Sequence, residues 1–132
     1  MALNNLFGET PSERIEDTYE FATMSRQDQL DMFVDQYFED IGVNVVYKDL
    51  GVGRNGLFIE AGSTYLGEYY DQDTLLIGEA SFKAGWEEVG ITILHEILEQ
   101  YRDSHFGGND YEIRELENLW REWYRQDKYL AQ

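Results

Sequence analysis

Residues 43–78 read VNVVYKDLGVGRNGLFIEAGSTYLGEYYDQDTLLIG. β-branched and aromatic residues gather in the short runs VNVVYK, LFIEA, TYLGEYY and TLLIG, separated by DLGVGRNG, GS and DQD. Runs of that composition between glycine- and aspartate-rich turns predict a small, mostly antiparallel sheet of roughly three or four strands. Gly51 to Gly56 (GVGRNG) match a dinucleotide-binding loop by letter, but that chemistry requires a helix directly afterwards, and a strand-like run follows. Asn55-Gly56 therefore reads as a turn.

The flanks are helical. Thr10-Pro11-Ser12-Glu13 combines a hydroxyl cap, Pro at the first helical position and Glu three residues after the cap, predicting a helix to about Ala22. Ser25 with Asp28 offers a second cap. Leu30, Phe33, Val34, Tyr37, Phe38 and Ile41 then recur with helical period until Gly42. Downstream, one helix is predicted from Gly85 or Trp86 to about Ser104. Another starts at Asn109, which forms a capping-box pattern with Glu112. It carries Ile113, Leu116, Leu119, Trp120, Trp123 and Tyr124 on one face, read as packing residues. Strands in one block between helix pairs define an α+β fold: an N-terminal helix pair, the sheet, and two C-terminal helices. Residues 1–9 are expected to be a flexible N-terminus and 10–132 a single domain.

Composition narrows the functions. The chain has 132 residues, and 10 Lys+Arg against 27 Asp+Glu give a formal charge of −17, which repels phosphate backbones and anionic membranes. Direct nucleic-acid and membrane partners are thereby excluded. An apolar fraction of 42% nonetheless supports a packed core. The absence of Cys excludes disulfides, zinc fingers and a thiol nucleophile. Neither a secretory signal nor a long apolar run is evident, so a cytoplasmic protein is expected.

His95-Glu96-Ile97-Leu98-Glu99 is the run with chemical content. On a helical wheel Ile91, Ile93, Leu94, Ile97, Leu98 and Tyr101 share one arc, while Thr92, His95, Glu96, Glu99, Arg102 and Asp103 share the other. Residues four apart lie one turn apart on the same side, so His95 and Glu99 can converge, with Glu96 beside them. Imidazole and carboxylate both ligate zinc, and a neighbouring carboxylate can serve as general base toward water. The plainer alternative is a wet helix face carrying ordinary i,i+3 and i,i+4 pairs.

From about Leu66 to Trp123 the chain resembles the zincin metallopeptidases: strand-like runs and a connecting segment lead into a helix beginning ITILHEIL. The resemblance implies a zincin-like core, TYLGEYY as an edge strand along the cleft above the active-site helix, Zn2+ or another divalent metal, and a peptide or protein substrate. The family's HExxH is HExxE here. The resemblance then implies His95 as first ligand, Glu96 as general base and Glu99 as substitute ligand. His105, ten residues after His95, has the third-ligand spacing of one zincin branch, although Arg102 stands where that branch turns at Gly. Another branch draws its third ligand from a Glu on the next helix, where Glu112 or Glu115 could stand. One His with two carboxylates implies weaker zinc binding, or a fold kept without catalysis.

The acidity suggests a second class of function. Glu9, Glu13, Glu16, Asp17, Glu20, Asp28, Asp31, Asp35, Glu39 and Asp40 are opposed only by Arg14 and Arg26 over that stretch. Carboxylates spaced along helices can imitate a nucleic-acid backbone and occupy the basic cleft of a nucleic-acid-binding protein. Small acidic inhibitors of restriction or CRISPR enzymes, carried by phages and mobile elements, share this composition. Solubility or a salt-loving source would select similar surfaces.

Overall fold

A computed structural model describes residues 7–39, 41–101 and 110–130. A 3-10 turn at Ile15–Asp17 precedes helices α1 (Tyr19–Ala22) and α2 (Arg26–Tyr37). Strands β1 (Asn44–Tyr47), β2 (Gly56–Ile59), β3 (Ser63–Tyr65), β4 (Glu68–Tyr70) and β5 (Thr74–Ile77) follow. Helices α3 (Glu79–Ala84), α4 (Trp86–Tyr101) and α5 (Asp110–Leu130) complete the α+β fold.

The sheet is mixed, with order β1-β5-β2; β1 runs parallel to β5 and β2 antiparallel to it. β3 and β4 pair separately. Two of the three strand pairings are antiparallel, in line with the expectation, but the strands form two separate sheets and the β1–β5 pairing is parallel. TYLGEYY is a hairpin rather than one strand, because Leu66 (φ 50) and Gly67 (φ 81) both adopt the positive φ of a type I′ turn. Every residue of β5 is buried, because both faces of the sheet are covered. Leu75 and Ile77 enter the main core with Leu30, Phe33, Trp120 and Trp123. Leu76, pointing the other way, packs with Ile59 and Tyr70.

The predicted N-terminal helix from Thr10 to Ala22 is interrupted. Arg14 (φ −88, ψ 126) and Thr18 (φ −87, ψ 152) are extended, and Thr18 rather than Thr10 caps the short helix α1 through Phe21 N. The cause is tertiary. Arg14 is buried and donates to Tyr37 Oη (3.0 Å) and the Tyr124 carbonyl (2.5 Å). The Glu16 carboxylate accepts from the hydroxyls of Tyr37 and Tyr124. A continuous helix would forgo that buried network, which ties the segment to α2 and α5. Burial, reinforced by the Glu16 charge, holds both tyrosine hydroxyls protonated at any ordinary pH.

Ser25 caps α2 through Asp28 N, as its sequence indicates, but the helix ends at Tyr37, before the expected stop at Gly42. Phe38 leaves helical geometry to stack on Trp120 at 5.7 Å between centroids. The additional short helix α3 places Phe82 against Trp86, which also meets Phe21 and Phe33, each at 4.9 Å. Trp120, Trp123 and Tyr124 are buried, in accord with their spacing. Phe7 and Gly8, assigned to the flexible N-terminus, dock on Trp123, whose indole N–H donates to the Gly8 carbonyl at 2.8 Å.

Candidate functional site

α4 enters the interior before it reaches the His95 run. Residues 89–93 are buried in succession, so its first half is covered on more than one side. Thr92, assigned by periodicity to the polar arc, is 7% exposed. Its hydroxyl donates to the Glu88 carbonyl (2.8 Å) and lies 3.1 Å from Ser81 Oγ. Gly56 of β2 passes directly over it, where a Cβ would come within 2.6 Å of Thr92 Cγ2. β2 and β5 are thus the strands packed on α4, and TYLGEYY, expected along it, forms the separate β3–β4 hairpin instead.

Beyond Thr92 the helix emerges, and His95, Glu96 and Glu99 are partly exposed. His95 Nε2 stands 3.3 Å from Glu99 Oε1, one turn on. Nδ1 stands 3.3 Å from Glu117 Oε2 on α5. Both ring nitrogens thus face carboxylates. Burial works against charge on the imidazole, but Glu117, Glu99 and Glu96 together outweigh it and raise its pKa. Glu96 lines a groove of about 460 Å3 with Gly53, Arg54, Gly56, His95 and Glu117. Burial, then the neighbouring Glu99 charge, push its carboxyl above the usual range, with His95 and Arg54 opposing.

α4 and α5 run antiparallel, since Glu87 meets Arg125, Glu88 meets Arg121, and His95 meets Glu117. Of the α5 carboxylates named from the sequence, Glu112 and Glu115 are exposed, and Glu117 is the one beside His95. A signal for Glu117 does exist in the sequence. Ile113, Glu117, Trp120 and Tyr124 follow the i, i+4, i+7, i+11 stripe, so this carboxylate sits in line with buried residues, and its side chain is 16% exposed. His105 lies outside the described residues.

Among the described residues, no group of three or more His, Asp or Glu side chains is placed to hold a metal ion. Two donors do meet, His95 Nε2 and Glu99 Oε1. Two ligands at about 2.0–2.1 Å on a tetrahedral ion lie about 3.3 Å apart. His95 Nε2 and Glu99 Oε1 stand 3.3 Å apart, a spacing compatible with that edge and equally with a weak hydrogen bond, since Nδ1 stands at the same 3.3 Å from Glu117 Oε2. Comparison of the chain with protein families, with characterised proteins and with solved structures gives no match.

Proposed function

We propose that the protein is a metal-dependent hydrolase of zincin type acting on a peptide or protein, with its centre at His95, Glu96 and Glu99. The observation that carries this reading is the pairing of His95 Nε2 with Glu99 while Glu117 faces Nδ1. A carboxylate on the far nitrogen fixes the tautomer and ring orientation of a ligating imidazole, and raises its basicity. His95 and Glu99 would hold Zn2+ or another divalent ion, with His105, which lies outside the described residues, as the third donor, since neither Glu112 nor Glu115 completes a site with this pair. The ion supplies Lewis acidity toward the scissile carbonyl. Glu96, its pKa raised by burial and the neighbouring Glu99 charge, takes a proton from the attacking water and passes it to the leaving amine. The groove beside the loop at Gly53–Gly56, lined by His95 and Glu96, would give the substrate access to those two residues.

The test is elemental analysis of protein purified without chelator or affinity-tag metal. Wild type and Glu96→Gln should carry stoichiometric metal, and His95→Ala should carry none. Glu96→Gln should also lose any peptide hydrolysis of the wild type. A metal-free wild type, or metal retained by His95→Ala, overturns the assignment.

A second reading has its own support. Glu9, Glu13, Asp17, Glu20, Asp28, Asp31, Asp35 and Glu39 are all exposed, Glu16 alone of the described acids in that stretch being drawn inward. That surface suits an acidic inhibitor, of the anti-restriction or anti-CRISPR kind, seated in the basic cleft of a nucleic-acid-binding protein. Such binding should weaken steeply with salt and survive His95→Ala.

A further inference from the structure

β1 is an end strand of the three-stranded sheet, and its outer edge opens into a groove of about 680 Å3 beside α2. Asn44 and Lys48 donate inward, to the carbonyls of Asp73 and Ile77 on the β5 side. Peptide groups alternate in direction along a parallel ladder, so those of Val43, Val45 and Tyr47 face outward. One outward rung is already filled. The Gln27 side-chain amide donates to the Val45 carbonyl (3.2 Å) and accepts from Tyr47 N–H (2.8 Å), as a neighbouring strand would. The next rung, the Val43 carbonyl with Val45 N–H, has no partner among the described residues and borders the groove.

The walls define what fits there. Val34, Phe38 and Ile41 supply apolar surface, while Asp31, Asp35 and Glu39 supply carboxylates without a lining Lys or Arg. An open strand edge beside an acidic helix suits an extended chain that contributes main-chain hydrogen bonds and positive charge together. We infer that this groove binds an extended, Lys- or Arg-bearing segment of a partner protein, which adds as a strand to the Val43–Val45 edge of β1 and turns its basic side chains toward Asp31, Asp35 and Glu39. The filled rung at Gln27 limits pairing to the first half of β1, so the added strand is short and its charge supplies much of the affinity. This site lies apart from His95 and does not depend on a metal.

A short blocked peptide alternating Lys and Val is the probe, used with the full-length protein at low and high salt. The expected result is binding that weakens several-fold with salt and with Asp35→Asn/Glu39→Gln, two exposed positions whose replacement leaves the core intact. Amide hydrogen exchange at Val45 should slow at least several-fold on binding, while that of Tyr47, already bonded to Gln27, changes little. The same peptide with Glu in place of Lys should not bind. No binding at low salt, or binding that leaves Val45 exchange unchanged, overturns strand addition; the second result would mean attraction by surface charge alone.

Discussion

Gly90→Ala sets two effects of opposite sign against each other. In an exposed helix, Ala for Gly stabilises by about 1 kcal/mol. Gly90, however, is buried on α4, where an added Cβ would stand 2.2 Å from Trp120 Cη2 and 2.8 Å from both Cζ2 and Cζ3. Carbon atoms pack comfortably at about 3.5–4.0 Å, so the nearest contact falls short by more than about 1 Å. The ring has little freedom to yield. It is 2% exposed, stacked on Tyr124 at 5.0 Å and on Phe38 at 5.7 Å. Overpacking of this kind costs about 1–3 kcal/mol and sometimes more, and a rigid ring held on both faces belongs at the upper end. The net expectation is a loss of about 2 kcal/mol, read in urea unfolding as a lower midpoint at unchanged slope. In a Trp120→Leu background the obstacle is gone, and Gly90→Ala should be neutral or stabilising, giving a coupling of about 2 kcal/mol. The contact matters to the site as well. It sets the approach of α5 to α4, and Glu117 lies one turn from Trp120, so the variant should also shift the His95 ring resonances. Equal or greater stability of Gly90→Ala in the wild-type background would refute the close-packing argument.

Two further outcomes follow from buried or paired charges. Arg14→Met removes the donors to Tyr37 Oη and the Tyr124 carbonyl and should cost about 2–4 kcal/mol. Urea midpoints measure it, and a loss below about 0.5 kcal/mol would show the network to be dispensable. Glu87 accepts from Arg125 and Arg121, and the Arg125 hydrogen bond, resisted by burial, holds its pKa below the ordinary 4.5. A carboxyl with a lowered folded pKa contributes stability above its unfolded pKa and loses it as pH falls through the folded value. The difference in stability between wild type and Glu87→Gln should therefore be constant near neutrality and shrink below about pH 4.5, as acid titration of the two proteins would show. Parallel curves throughout would contradict the pairing.

Much of the architecture is written locally. Ser25 and the apolar period after it mark the start of α2, blocks of β-branched and aromatic residues between helices define α+β, and the spacing of Trp120, Trp123 and Tyr124 marks a buried face. The one-turn spacing of His95 and Glu99 likewise places them together on α4. Each of these signals spans about one or two helical turns, the range over which backbone geometry alone sets neighbours. The misread elements depend on partners distant in sequence. Thr10 to Glu13 resembles a helix start, yet Arg14 and Glu16 reach Tyr37 and Tyr124, and the helix gives way to that network. Thr92 falls on a polar arc but is buried because β2 crosses it. The parallel pairing of β1 with β5 joins segments about thirty residues apart, and nothing in either segment alone specifies its neighbour. Glu117 is brought to His95 only by the packing of α5 on α4, a contact spanning 22 residues. Periodicity and capping thus settled the start of α2, the long helices α4 and α5, the strand block and the buried face at Trp120 to Tyr124. Tertiary packing settled which strands pack on α4 and which carboxylate meets the imidazole, because both depend on how separate faces fit together in space.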